Sequence, residues 1–514
     1  MKTEKFTFLV AVAICIIVHG SAFSQIIINE DTLLHFGDSL GYLYQSGRWA
    51  LQGLGFLRGL HNDAWIIGIF FTFYLAAAVS LIVHILNIKN KLHIIAAALI
   101  ITAFPPVANQ LMFIFMADAW PLSLLLAAFS IFCVQKWRFG FLFGSIALML
   151  SLALYQTSIG FALGLALLVL IKQALDAESS LKSLLNSAAK MLSMGALGVL
   201  VYFVSVWISL QVGAGQLFDY QGLDEMGRFT ISRLPSLTTL AYSDFFANFT
   251  VTNNLIPNQL YISSWQFVLN IIVLILTLSF LVLNAIQNKM HKNPAKIAII
   301  AAAILLLPLA LNIKILMAPD AYHHSLMTHP FVLIYLLPLI VPIKWNKKIM
   351  TTVIFLILAL LGATFAQQSR AFHFSQRIHT EATFAFYNRL LLRIEQTDGF
   401  CSSKPIAFIG NSPFDTNLPD QSSLIVGISP VRPAVGVGQW YKMIDFLNNY
   451  LNTNLTPAST EQIQATISHP AFAAMPSYPA HGSIQMIEGI LVVKLSYNFD
   501  PDAEIARPTL APAR

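Results

Sequence analysis

Residues 1–25 read MKTEKFTFLVAVAICIIVHGSAFSQ. Two lysines precede an apolar run at 6–24 that is long enough to cross a bilayer core of about 30 Å. The basic start, the apolar core and the small residues Ala22 and Ser24 also fit a cleavable signal peptide. Both readings put residue 25 onward on the far side of a membrane. Further along the chain come ten more runs of the same kind, near 64–86, 92–109, 119–135, 139–155, 157–172, 190–211, 264–286, 296–315, 327–343 and 348–366.

The whole chain agrees with that start. Of 514 residues, 56% are hydrophobic and only 11% charged, with a mean hydropathy of +0.68. Soluble domains carry roughly 25% charged residues. The expected fold is therefore mainly α, a polytopic membrane bundle of about eleven spans. The formal charge of +6 does not point to nucleic acid, because the basic residues sit in short clusters between spans and form no single patch. Those clusters set orientation by the positive-inside rule. With the N-terminus in the cytoplasm, the inner segments hold 15 Lys and Arg, while the opposite segments before the tail hold only Arg48, Arg58, Arg228, Arg233 and Lys314. Cys15 and Cys133 lie in apolar runs and Cys401 in a polar one, so no disulfide is expected. No Cys/His spacing resembles a zinc site, and no internal repeat suggests an inverted-repeat transporter.

The expected division is a membrane domain at 1–366, with outer loops 25–63 and 212–263, and a C-terminal extracytoplasmic α/β domain at 367–514. That tail opens on a helical pattern, QQSRAFHFSQRIHTEATFAFYNRLLLRIEQ. KPIAFIGN and SSLIVGIS then read as short buried strands, and SIQMIEGILVVKLSY reads as two strands around a Glu-Gly turn. The 212–263 loop mixes charges with aromatics, as helices lying on a membrane surface do. Trp49, Trp65, Trp120 and Trp265 fall where an outer aromatic belt is expected.

The outer polar segments carry the candidate chemistry. INEDTLLHFGDSLGYLYQSGRW, residues 28–49, gathers Glu30, Asp31, Asp38 and Arg48 just outside the first span. A carboxylate at the membrane surface can deprotonate a sugar hydroxyl, and an arginine can pair with a phosphate through two parallel hydrogen bonds. Together they suit a lipid-phosphate sugar donor meeting an acceptor hydroxyl. The plainer alternative makes Asp31 the N-cap of a helix beginning at Thr32. Asp118 stands at the outer edge of the fourth span in FMADAWPL, and Tyr155-Gln156 joins two spans in LALYQTSIG. Lys314 ends an apolar span on the side where lysine is scarce; it either snorkels to the interface or binds phosphate. His323 and His324 are further phosphate candidates. As a metal site they lack a third ligand nearby in the sequence. Arg228 and Arg233 read as solvated helix-face residues.

Four short motifs in order, NEDT, SGRW, FMADAWPL and LALYQTSIG, followed by a long outer loop and an outer C-terminal domain, resemble the serotype-converting O-antigen glucosyltransferases of the glucosyl transferase II type. The resemblance covers most of the chain. It implies a GT-C-like enzyme of the bacterial inner membrane that takes glucose from undecaprenyl-phosphate glucose, outside the cytoplasm, for a lipid-linked O-antigen or related polysaccharide. It makes Asp31 the catalytic base with Glu30 beside it, sets Arg48 near the donor phosphate, and gives Asp118 the acceptor or a cation to orient. No cofactor is expected; a divalent ion between Asp31 and Asp118 is the one alternative. The chain departs from the family pattern in having Glu-Asp where Asp-Asp is common. It also has DAYHHSLMTHP where an arginine is expected.

Two rivals remain on the residues alone. A flippase for lipid-linked sugars predicts polar groups deep within several spans. A polysaccharide polymerase predicts several arginines in large outer loops. The apolar span interiors and the few outer arginines favour an interfacial enzyme.

Overall fold

A computed structural model describes residues 2–26, 44–59, 62–213, 215–217, 231–250, 263–320, 323, 325–342, 346–410 and 440–496. The molecule is mainly α. Among the described residues, eight helices are long and apolar enough to cross a membrane, and three shorter apolar helices accompany them. These eleven segments match the eleven apolar runs of the sequence one for one.

Helix α1 (Lys2–Phe23) packs on α3 (Ala64–Ile85) and α4 (Lys91–Ala103); the short α2 (Ala50–Leu57) precedes α3. α5 (Pro105–Gln110), α6 (Ala119–Lys136), α7 (Gly140–Leu154), α8 (Ser158–Leu175) and α9 (Leu181–Val212) follow. The second half has α10 (Leu234–Thr250), α11 (Ser264–Gln287), α12 (Pro294–Leu311) and the single turn α13 (Lys314–Met317). A 3-10 helix, Ser325–Leu336, then leads through α14 (Leu337–Ile340) to α15 (Lys347–Glu395). Side chains define several starts. Asp63, Asn90, Ser180 and Ser263 each accept a first-turn backbone N–H of the helix they precede.

Small residues let these helices approach closely. A Cβ on Gly140 would fall 1.8 Å from the Cys133 carbonyl oxygen, and one on Gly160 would fall 2.9 Å from that of Leu311. Short connections make the helices alternate in direction. Glu4, at the start of α1, meets His84 at the end of α3 (2.9 Å), and His19, near the end of α1, meets the Thr102 carbonyl near the end of α4 (2.9 Å). The end of the bundle where α1 finishes, here the far end, therefore also holds the ends of α4, α7 and α12 and the starts of α3, α6 and α8.

Three boundaries differ from the sequence reading. The run at 92–109 is broken at Phe104, because a residue before proline is driven out of the helical region and Pro105-Pro106 follows. The run at 327–343 is 3-10 rather than α through Leu336. Pro330 lies inside it and offers no N–H for the α pattern. The run at 348–366 does not stop there; α15 continues for 49 residues to Glu395. Conversely, α12 stops at Leu311, so Lys314 lies beyond the span on its own turn.

The described residues form two compact units, 2–25 with 44–373, and 374–410 with 440–496. The second holds a four-stranded sheet in the order β2-β1-β4-β3. β1 (Pro405–Ile409) runs parallel to β2 (Thr456–Pro457) and β4 (Ile490–Lys494), and β3 (Ile484–Ile487) runs antiparallel to β4. The Glu-Gly turn is as expected: Glu488 and Gly489 have φ of +47° and +83°, the left-handed pair of a tight hairpin. β1 and β4 are almost wholly buried, packed with Tyr387, Leu390, Phe446 and Leu447. The strand expected at SSLIVGIS and the terminal RPTLAPAR lie outside the described residues. All three cysteines are free.

Candidate functional site

The far end of the membrane unit collects the candidate residues. Gly47 turns the chain with φ of +73°, where a side chain is strained, and a Cβ there would come within 2.8 Å of the Tyr202 hydroxyl. The turn aims Arg48 inward. The Gln156 side chain clamps it from both sides: its Nε2 donates to the Ser46 carbonyl (2.6 Å) and its Oε1 accepts from Arg48 Nε (3.0 Å). The Tyr202 hydroxyl donates to the Gly47 carbonyl (3.2 Å). The Arg48 guanidinium lies 5.3 Å from the centre of the Tyr155 ring, and its Nη1 approaches Met116 Sδ at 3.8 Å. Arg48, Tyr155 and Gln156, named from motifs about 107 residues apart in the chain, are thus one contact group.

Asp118 stands at the start of α6, close by. Its Oδ1 accepts from Arg58 Nη1 at 2.6 Å, and Arg58 Nη2 also donates to the Phe115 carbonyl. Both side chains are buried. Burial lowers the Arg58 pKa and the Asp118 charge opposes that. A guanidinium stays protonated under either influence, so Asp118 faces a fixed positive charge.

Lys314 is buried, with Nζ 5.7 Å from the centre of the Phe331 ring. It does not snorkel to the surface as one sequence reading allowed. Burial pulls its pKa down to about 8, with Asp244 pulling the other way. Asn312 Nδ2 donates to that carboxylate and to the Ala241 carbonyl, both at 2.9 Å.

His323 is half-buried. Glu30, Asp31, Asp38, His324 and Arg228 lie outside the described residues. Arg233 pairs with Asp320 at the surface through two hydrogen bonds of 3.0 and 2.9 Å. Among the described residues, no group of three or more His, Cys, Asp and Glu could hold a metal ion.

Two features escaped the sequence reading. Arg58 was legible only as a loop charge, although a cation on the charge-poor side was the same anomaly that drew attention to Lys314. His329 lies in an apolar run, where a polar residue is itself a signal. Its ring stands edge-on to Trp120 (5.2 Å, 89°), near Tyr155 (6.3 Å) and stacked on Phe161 (6.2 Å). Trp120 is therefore an interior residue and not part of an aromatic belt, whereas Trp65 and Trp265 are exposed as a belt requires. Trp49 donates its Nε1–H to Ser205 Oγ (3.1 Å).

The architecture defines a polytopic helical membrane protein with buried cations, an acid and aromatics gathered at one end of the bundle. Residues 20–342 match the model of the glucosyl transferase GtrII family, which is most of the chain, and the protein belongs to that family. It is a membrane glucosyltransferase. No curated protein and no solved structure matches it.

Proposed function

We propose that this glucosyltransferase takes glucose from undecaprenyl-phosphate glucose and transfers it to a lipid-linked O-antigen or related surface polysaccharide. The reaction runs on the extracytoplasmic face of the bacterial inner membrane, with the N-terminus in the cytoplasm and the C-terminal unit in the periplasm. The charge bias of the segments before residue 367, 15 cations against 5, supports this orientation. The observation that carries the reading is the group at the far end: Arg48 clamped by Gln156 over Tyr155, beside the buried Arg58–Asp118 pair.

In the reaction, the acceptor hydroxyl oxygen attacks the anomeric carbon of the donor. The bond from that carbon to the phosphate oxygen breaks, and polyprenyl phosphate leaves. Asp31, with Glu30 beside it, takes the hydroxyl proton. Arg48 and Lys314, assisted by His323 and His324, stabilise the charge that develops on the departing phosphate, which then needs no protonation. Asp118 and Asp38 orient the acceptor, and Tyr155 and Gln156 hold Arg48 in place. No step requires a metal.

The flippase reading draws on buried polar groups within the bundle, such as the His19–His373 pair (2.9 Å) and the Asn109–Ser325 pair (2.8 Å). Both pairs lie toward the far end that also holds Arg48, Arg58 and Asp118, which favours an interfacial transfer site over transport. The test is release of polyprenyl phosphate by purified protein given polyprenyl-phosphate glucose and lipid-linked O-antigen. Wild type should turn over and Asp31→Asn should not, while remaining folded. Equal turnover by both would move the base to Glu30 or Asp118. No turnover with any sugar donor would restore the flippase.

A further inference from the structure

Trp120 and His329 are both almost fully buried, and their rings touch edge-on. His329 Nδ1 lies 3.4 Å from the Leu326 carbonyl, which also accepts from Gln110 Nε2 at 3.1 Å. A carbonyl can only accept, so Nδ1 carries the hydrogen and Nε2 of the neutral ring presents a lone pair. Trp120 Nε1 is a donor only. Neither Trp120 Nε1 nor His329 Nε2 has a hydrogen-bond partner among the described residues. A buried donor and a buried acceptor left without partners are rare in folded proteins, because each forfeits the hydrogen bonds it made to water.

Such atoms call for a group that can accept from an indole N–H and donate to an imidazole nitrogen. A hydroxyl does both. The surroundings suit a sugar hydroxyl in particular. Tyr155 and Phe161 flank the His329 ring, and Asp118 lies two residues before Trp120 at the start of the same helix. Arg48, whose guanidinium lies 5.3 Å from the centre of the Tyr155 ring, is the cation assigned to the donor phosphate.

We infer that Trp120 and His329 form the hexose-recognition element of the donor site. The indole N–H donates to one ring hydroxyl of the polyprenyl-linked hexose, and His329 Nε2 accepts the proton of that hydroxyl or its neighbour. Gln110 is a positioning residue: by sharing the Leu326 carbonyl it fixes the face that His329 presents. The inference rests on the glucosyl-transfer reading and goes further by naming where hexoses are told apart. A site built to hydrogen-bond a hydroxyl rejects an epimer because its own polar atoms are then left unpaired.

The experiment measures kcat and KM in detergent with polyprenyl-phosphate glucose and with its galactose and mannose epimers, together with product inhibition by polyprenyl phosphate alone. Trp120→Phe keeps the ring and removes the N–H; His329→Gln keeps an acceptor and His329→Phe removes it. The expected result for Trp120→Phe and His329→Phe is a rise of roughly tenfold or more in KM for the glucosyl donor and a collapse of the preference over epimers. Inhibition by polyprenyl phosphate should be unchanged, and His329→Gln should recover part of the preference. Equal loss of affinity for donor and for bare polyprenyl phosphate would overturn the inference and make the pair a structural element. Unaltered preference in folded, active Trp120→Phe and His329→Phe would also overturn it, leaving a structural water as the shared partner. If wild type neither binds nor turns over any hexosyl donor, the glucosyl-transfer reading fails first and this one with it.

Discussion

Among the described residues are two aspartate–arginine pairs whose chemistry is the same and whose settings are opposite. Arg233–Asp320 has the better geometry, two hydrogen bonds near 3 Å, but its side chains are 45% and 54% exposed. Arg58–Asp118 has one carboxylate contact of 2.6 Å, and its side chains are 4% and 0% exposed. Solvent and mobile salt screen the first pair, so it does little for the fold. The second pair is shielded from both, and removing one partner leaves an uncompensated charge in an apolar interior. Burial therefore matters more here than hydrogen-bond count. The same contrast separates Arg48, held by Gln156 and Tyr155, from exposed charges such as Lys136 and Lys292 in the turns at the opposite end of the bundle.

Breaking the buried pair should give the largest effect. Arg58→Met should cost about 3–5 kcal/mol of stability, read by thermal unfolding in detergent, and abolish transfer. Replacing both partners, Arg58→Met with Asp118→Leu, should recover much of the stability and none of the activity. Next comes Arg48→Lys. Lysine cannot keep the fork geometry or the stack on Tyr155. The expected result is a loss of roughly a hundredfold in kcat/KM, the scale for removing one preorganised donor to a developing charge, with unfolding temperature unchanged.

Gly47→Ala adds a Cβ to a left-handed residue and pushes it toward the Tyr202 hydroxyl. It should destabilise by about 1–2 kcal/mol and impair donor binding through Arg48. Lys314 extends the contrast between buried and exposed charge to pH. Its folded-state pKa of about 8 lies below the ordinary 10.5. The unfolded chain therefore holds the proton more tightly over that window, and stability should rise as pH climbs from about 8 toward 10.5. Donor binding needs the charge and should fall over the same window. Lys314→Arg should flatten both profiles. The smallest effect belongs to the exposed pair: Arg233→Ala should leave unfolding temperature and kcat/KM indistinguishable from wild type.

The spans were legible because unbroken apolarity over about 18 residues is seldom found outside a membrane. Their exact shape was less so. Pro105 and Pro330 were visible as breakers, yet they sit inside runs whose hydropathy does not change, so composition concealed the break at Phe104 and the 3-10 stretch from Ser325. The run of α15 past residue 366 was hidden for the converse reason. Gln367-Gln368 marks a change of polarity, and a helix needs only its own backbone bonds to continue through one. In the candidate site, Gly47-Arg48 and Tyr155-Gln156 were each readable locally. Arg58 and His329 were not, because their roles arise from contacts with Asp118 and Trp120, which are far away in the chain. Trp120 was misplaced by the same limit: position near a span end suggested an interface, and packing against Phe71 and His329 makes it interior.

The proposed place of sugar transfer is the far end of the bundle, around Arg48, Asp118 and Tyr155, and photocrosslinking can decide whether it occurs there. The probe is a polyprenyl-phosphate glucose analogue carrying a photoreactive group on the sugar, and labelled peptides are mapped after irradiation. Labelling is expected within 44–59, 105–123, 155–161 and 325–336, competed by unlabelled donor. Competed labelling confined to the opposite end, in the turns at 86–91, 136–140 or 175–181, would contradict that placement.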